Sequence, residues 1–347
     1  MVVLRTPGDA ALTHIRFILP TALALSAVLA APAYAQPDFF KGKTVNIIVG
    51  FTPAGGYDIN GRAVARHIGK HIPGNPNVIV QNQPGAGSLS AVRNLDATLP
   101  RDGTSIVIFN PGLVTQSVVQ PETVKVDFRN IAWLGVDAAD YRSCYGFGPT
   151  GVKTWDDMMG RKAFILGATG KSAGNYINGA VLRQVFNAPV RQILGFPGSA
   201  EQRIAIERGE LDGDCGAFSS IPIAWLQEKK VHPFVRFSEK KSAEIPDSAV
   251  YIGKFAKTDE QRALLAVLAG GDEIGRPFVM SKQVPADRLA ILRQAFDTTM
   301  KDPAFLADME KLGHPVQPLP GQAAEAIVAK LSEASPEVLK KARAIYE

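Results

Sequence analysis

One pattern, used twice in close succession, constrains this chain more than anything else in it. An apolar, β-branched run, Val45, Asn46, Ile47, Ile48 and Val49, breaks through Phe51, Thr52 and Pro53 into Ala54, Gly55, Gly56, Tyr57 and Asp58. Val78, Ile79 and Val80 then lead through Gln81, Asn82 and Gln83 into Pro84, Gly85, Ala86, Gly87 and Ser88. Each copy reads as a buried strand, a tight turn and the start of a helix. Their separation is that of a βαβ unit. Two neighbouring strand ends thus offer backbone amides and helix N-termini at one point, which is an environment that attracts an anion.

The rest of the chain repeats this alternation. Val64, Ile68 and Ile72 recur at four-residue spacing and predict a helix over 57–72, stopped by Pro73, Gly74, Asn75 and Pro76. A second helix is expected over 88–97, and a third strand over 105–109 ends at Asn110, Pro111 and Gly112. Three strands and two helices argue for a parallel sheet with right-handed crossovers. Strands are also expected near 131–136 and 144–147, and Thr154 is placed to cap a helix. Strands over 163–167, 192–196, 211–218 and 233–237 then alternate with helices over 173–186, 200–208 and 221–228, a second parallel α/β unit. Its loops at Thr169, Gly170, Lys171 and Ser172, at Pro197, Gly198 and Ser199, and at Phe218, Ser219 and Ser220 fall at C-terminal strand ends. Open α/β sheets bind ligands there. A strand near 276–280 returns the chain to the first unit. The expected division is therefore 36–140 with 272–347, and 141–271.

The N-terminus is read apart from the fold. Arg5, His14 and Arg16 precede an almost wholly apolar run over 17–30, and Ala33, Tyr34 and Ala35 fit a small-x-small cleavage site, so residues 1–35 are expected to be an export signal. The apolar run is shorter than the roughly 20 residues of a membrane-spanning helix. A formal charge of +5 is spread among 38 basic and 33 acidic residues without clustering, which gives no footprint for nucleic acid. An exported compartment permits a bond between the two cysteines, Cys144 and Cys215, the alternative being two separate buried thiols.

Several motifs come close to known chemistry. Gly170, Lys171 and Ser172 suggest a P-loop, but Ile165 stands where its first glycine belongs. Gly85, Ala86 and Gly87 suggest a dinucleotide turn, but Ser90 replaces the third small residue. Gly170, Ser172 and Gly174 match the G-x-S-x-G nucleophile elbow, with Asp272 and His314 following in hydrolase order. A secreted serine hydrolase using Ser172 is thus one reading, and a capped helix N-terminus is the other. His67 and His71 have the spacing of zinc ligands without the glutamate of H-E-x-x-H, and as cations in a last helical turn they also suit the helix dipole. Neither a metal nor a cofactor is expected.

Taken together, TPAGGYD after one strand, QNQPGAGS after the next and PRDGTS before a third closely resemble the Bug (TctC-like) family. These are periplasmic receptors of tripartite tricarboxylate transporters. Gly198 to Gly213, GSAEQRIAIERGELDG, resembles the family's segment ahead of a second-domain strand. The resemblance implies two Rossmann-like α/β domains around a ligand cleft, of periplasmic binding protein type II, in a monomer that captures a small organic carboxylate for the transporter's membrane subunits. A ligand sensor for a membrane kinase would share that fold. The resemblance places the ligand against Thr52, Pro53, Ala54, Gly55, Gly56, Tyr57 and Asp58, and against Asn82, Pro84, Gly85, Ala86, Gly87 and Ser88. Asn110 at the third strand end and the second-unit residues Thr169, Gly170, Lys171, Ser172, Gly198, Ser199, Asp214, Phe218 and Ser219 complete the expected site. Ala54 and Ser88 stand where the family pattern has glycine. Lys171 suggests a second carboxylate on the ligand, whereas Asp214, if it faces the cleft, suggests an amine.

Overall fold

The computed structural model describes residues 39–346 except 140, 240, 241, 243, 270–273, 334 and 335. The expected export signal and Asp272 of the hydrolase reading lie outside the described residues.

In chain order the strands are β1 (Thr44–Val49), β2 (Asn77–Asn82), β3 (Ser105–Ile108), β4 (Ile131–Val136), β5 (Ser143–Phe147), β6 (Phe164–Ala168), β7 (Val190–Leu194), β8 (Gly213–Asp214), β9 (Val231–Arg236), β10 (Val250–Tyr251), β11 (Pro277–Ser281) and β12 (Leu319–Pro320). They form two six-stranded sheets, ordered β12-β4-β11-β3-β1-β2 and β10-β9-β5-β8-β6-β7. Each sheet with its helices forms a lobe.

Both sheets are mixed rather than parallel. β1 pairs in parallel with β2 and β3, as the alternating pattern requires, but β11 enters antiparallel between β3 and β4. In the second sheet β6 is parallel to β7 and β8, while β5 runs antiparallel to β8 and β9. The reason is topological. β5 and β11 are the strands by which the chain enters one lobe and returns to the other, and each lodges inside its new sheet rather than continuing a βαβ series. The crossing segments meet where the Arg276 amide donates to the Ala138 oxygen at 3.0 Å. Gly275 there has φ +52, and a Cβ would lie 1.8 Å from the Ala138 oxygen, so glycine is required twice over.

The central strands of the first sheet, β3, β4 and β11, are buried along their whole length. Helices cover both faces, with Ile47, Phe278, Phe296 and Phe305 in one core and Val107, Phe109, Phe128 and Trp133 in the other. The second lobe is built around Phe164, Leu166, Ile177, Val181 and Phe234. Ala342, Ile345 and Tyr346 of the last helix, Pro336–Tyr346, belong to that same core. The last helix also meets the first lobe, to which the sequence division 272–347 assigned it: Arg343 Nε donates to the Val119 oxygen at 3.2 Å and Nη2 meets Glu122 Oε2 at 3.0 Å. Its apolar face shows in sequence, but nothing local says which lobe that face covers.

The strand expected over 211–218 is reduced to β8 and followed by a short turn of helix, Phe218–Ser220. The helix expected over 57–72 runs Gly56–Ile68 and tightens into a 3-10 turn, Gly69–His71. Among the described residues no helix is long and apolar enough to cross a membrane.

Candidate ligand-binding site

Three strand-to-helix turns converge between the lobes. β1 runs into the helix Gly56–Ile68, β6 into Gly174–Phe186, and β7 into Ser199–Glu207. A pocket with a cavity of about 60 Å³ opens among their N-termini. Its walls include Gly55, Gly56 and Tyr57 from the first turn, Ala173, Gly174 and Asn175 from the second, and Ser199 and Gln202 from the third. Phe51, Asn110, Arg142, Thr169, Asp214, Gly216, Ala217 and Ser220 complete it. Each N-terminus contributes backbone N–H groups without intrahelical partners and the positive end of a helix dipole.

Arg142 adds a formal charge to these partial ones. It lies just before β5 and is only 4% exposed. Its Nη2 donates to Asn110 Oδ1 at 3.2 Å. Its guanidinium also lies so close to the second helix that a Cβ on Gly174 would fall 1.9 Å from Nη1. Gly174 therefore makes the room that Arg142 occupies. Sequence reading missed this arginine, whose only signal was its position two residues ahead of Cys144 on a strand-like run.

Asp214, opposite in charge, lines the same pocket. It is 8% exposed, and burial pushes its pKa up to about 6 although the Cys215 and Gly216 amides and the Arg203 charge favour the anion. Cys215, the next residue, is disulfide-bonded to Cys144. One covalent bond thus holds together the two backbone segments that carry Arg142 and Asp214.

Of the residues expected at the site, Gly55, Gly56, Tyr57, Asn110, Thr169, Ser199 and Asp214 line the pocket. The others surround it in other roles. Asp58 is buried, accepting from the Ala54 amide at 2.9 Å, Arg62 Nε at 2.9 Å and Asn82 Nδ2 at 2.8 Å. Burial raises its pKa, but these hydrogen bonds outweigh it and hold the carboxyl below its ordinary value. Asn82 also donates to the Phe51 oxygen at 2.9 Å. Asp58 and Asn82 therefore brace the first turn from behind. Ala54 sits at φ +64, the left-handed region that glycine occupies without strain, and Pro53 precedes it outside the pocket.

The turn after β2, Pro84 to Ser88, does not reach the pocket. Ser88, at φ +75, turns its Oγ to accept from the Asn110 amide at 2.9 Å. Its Cβ fills the space beside Gly50, where a second Cβ would lie 2.3 Å away. Ala86 offers its carbonyl to Ser172 Oγ at 3.1 Å, and Gly85 and Gly87 set the turn at φ +157 and +64. A Cβ on Gly170 would lie 3.0 Å from the Gly87 amide, so this turn and the loop after β6 cover one another. The paired turns thus differ in role: one lines the pocket and the other joins the lobes.

Further bonds join the lobes at other points. Asn110 Nδ2 donates to the Ser172 oxygen at 2.7 Å, Thr52 Oγ1 to Glu201 Oε2 at 2.9 Å, and Arg203 Nη2 to the Ala54 oxygen at 2.8 Å. Gly198 lies against Thr52 Oγ1, where a Cβ would be 2.1 Å away. Lys171 is exposed and is not among the residues that line the pocket. Phe218 and Ser219 line a smaller neighbouring cavity with Arg276 and His314.

Among the described residues, Ser172 and His314 of the hydrolase reading have other partners than each other. Ser172 Oγ donates to a carbonyl, and His314 Nδ1 is 2.7 Å from Asn60 Nδ2 and 3.0 Å from Arg276 Nη1. Two donors aimed at one ring nitrogen require it to be unprotonated. Burial, with the Arg276 charge, pushes the His314 pKa down to about 3. The zinc-like pair is also divided: His67 meets Asp308 at 3.0 Å and His71 meets Asp302 at 2.9 Å. Among the described residues no group of three or more His, Cys, Asp or Glu could hold a metal.

The same fold occurs in solved periplasmic binding proteins. Solved structures that share it include the periplasmic binding protein BugD, with TM-score 0.71, 17% identity, and coverage of 87% of this chain and 97% of that one. Another is MatC from Rhodopseudomonas palustris with bound malate, at TM-score 0.69 and 16% identity, covering 88% and 99% of the two chains. A third, an R. palustris protein with adipate, has TM-score 0.68 and 15% identity, covering 87% and 97%. A curated sequence, the UPF0065 protein in the gbd 5′ region of Cupriavidus necator, is 36% identical over 88 residues, a match that spans 25% of this chain and 26% of that protein. No family profile matches the chain.

Proposed function

We propose that this chain is a solute-binding receptor of the Bug type, exported to the periplasm, that closes on a small organic carboxylate. It then delivers that ligand to the membrane subunits of a tripartite tricarboxylate transporter. The observation that carries the reading is the convergence of three helix N-termini and the buried Arg142 on one pocket between the lobes. Partial and formal positive charge directed at one small space suits an anion, and a planar guanidinium suits a carboxylate. By the usual measure one water needs roughly 10–15 Å³, so the pocket suits a compact acid. The chemistry is recognition alone: Ser172 is engaged elsewhere, and no bond is made or broken.

The working motion is hinge closure. We infer that the lobes turn about the paired crossings at Ala138 and Arg276, the protein acting as a monomer. A ligand held by residues of both lobes stabilises only the closed arrangement. The ligands named for MatC and the adipate complex are both dicarboxylates, which supports the acid class for this chain and leaves its second functional group open. A thermal-shift screen of small organic acids tests the reading, since a ligand that binds only the folded form raises the melting temperature by mass action. Stabilisation by one or more acids at micromolar to millimolar concentration is expected; a flat response across mono-, di- and amino acids would overturn it.

A further inference from the structure

We propose that the preferred ligand carries a protonated amine as well as a carboxylate, with Asp214 receiving the ammonium group. This rests on the carboxylate-receptor reading and narrows its substrate class.

The second-lobe wall of the pocket holds more hydrogen-bond acceptors than the protein satisfies. The backbone amides of Cys215 and Gly216 favour the Asp214 anion. A Cβ on Gly216 would lie 2.7 Å from Oδ2, which fixes that oxygen against the chain. Oδ1 is buried and has no hydrogen-bond partner. Arg203, whose charge Asp214 feels, sends its N–H groups elsewhere, to Ser199 Oγ and to the Ser220 and Ala54 oxygens. Asn175 Nδ2 donates to Gln202 Oε1 at 3.2 Å, which leaves Asn175 Oδ1 and Gln202 Nε2 without partners. Thr169 Oγ1 is also unpartnered. All four residues line the one pocket.

Buried polar groups in folded proteins are nearly always hydrogen-bonded, and a buried carboxylate oxygen without a donor is costly. A ligand that is only an acid worsens this, since its carboxylate brings more acceptors and a second negative charge. An ammonium group brings three donors and the compensating charge. Asp214 Oδ1 and Asn175 Oδ1 accept from it, Gln202 Nε2 remains to donate to a ligand oxygen, and the helix N-termini with Arg142 take the carboxylate. A pocket lined by one buried cation and one buried anion is matched by a zwitterion.

Isothermal titration calorimetry at pH 7.5 on the mature protein, with matched acids that differ only in the amine, tests this: L-glutamate against glutarate, L-aspartate against succinate, 4-aminobutyrate against butyrate. In at least one pair the amine-bearing member should bind ten-fold or more tightly, and Asp214→Asn should erase that difference. Equal or tighter binding of the amine-free member in every pair would overturn the inference while leaving the carboxylate reading intact. Silence of all six, with silence in the wider acid screen, would overturn that reading and this inference with it. Should Asp214→Asn fail to fold by circular dichroism, the wild-type pairs still decide.

Discussion

Asn110 Nδ2 donates a 2.7 Å hydrogen bond to the backbone oxygen of Ser172, tying the end of β3 in one lobe to the loop after β6 in the other. The same side chain uses Oδ1 to accept from the Gly112 amide and from Arg142. Asn110 thus links the latch between the lobes to the cation of the pocket. Asn110→Ala should favour the open arrangement and weaken ligand binding by about 1–2 kcal/mol, the loss expected for one buried hydrogen bond. Stopped-flow fluorescence should assign most of the change to faster dissociation. An unchanged dissociation rate would mean that the latch does not hold the closed form.

Gly174→Ala offers a test of Arg142 that removes no charge. At an ordinary helix start alanine would be neutral or mildly favourable, but here its Cβ would fall 1.9 Å from Arg142 Nη1 and displace the guanidinium. We expect thermal stability within about 1 kcal/mol of the parent and carboxylate affinity at least ten-fold weaker. Calorimetry on the two proteins with one acid compares them directly, and equal affinities would remove Arg142 from the site.

The Cys144–Cys215 disulfide closes a loop with a sequence separation of 71. The chain-entropy account assigns a loop of that size about 4 kcal/mol, and measured losses are typically 2–5 kcal/mol. The double variant Cys144→Ala/Cys215→Ala should lose stability in that range on urea unfolding. It should also bind ligand more weakly, because the bond holds the segments bearing Arg142 and Asp214. A stability loss with affinity intact would confine the bond to a folding role.

Asp214 should leave a signature in the pH dependence of stability of the unliganded protein. Its carboxyl titrates near 6 in the fold, against 3.8 for the free side chain. Between those values the native state keeps a proton that the unfolded chain has released, so this contribution to stability declines as pH rises from about 4 to 6. Tyr145 and Arg203 are the titratable groups coupled to it, and both stay protonated in this window. Across that range the parent should lose on the order of 2–3 kcal/mol relative to Asp214→Asn. Parallel stability profiles for the two proteins would show that the Asp214 carboxyl is not raised.

The strand-turn-helix grammar was legible because it is local: β1, β2, β6 and β7 and the helices that follow them show in apolar runs and glycines. Mixed pairing was not, because β11 reads as an ordinary apolar strand and only the route of the chain makes it antiparallel. At the site, the first turn is legible for the same local reason. The turn after β2 resembles it in sequence but is drawn off by Asn110 within the lobe and by Ser172 across the lobes, contacts that no spacing encodes. Arg142 was hidden because a single arginine in a strand-like run carries no pattern, and its burial depends on a glycine thirty-two positions away in the chain. Lys171 sits in the expected loop but is exposed and outside the pocket lining, which its position in sequence does not reveal.

Recognition of a carboxylate by this pocket is tested most directly by changing the ligand rather than the protein. The affinity of the best-binding acid from the thermal-shift screen should be compared by calorimetry with that of its primary carboxamide, which keeps the shape and removes the charge. The amide should bind at least a hundred-fold more weakly, about 2.7 kcal/mol. Equal affinity for acid and amide would contradict it.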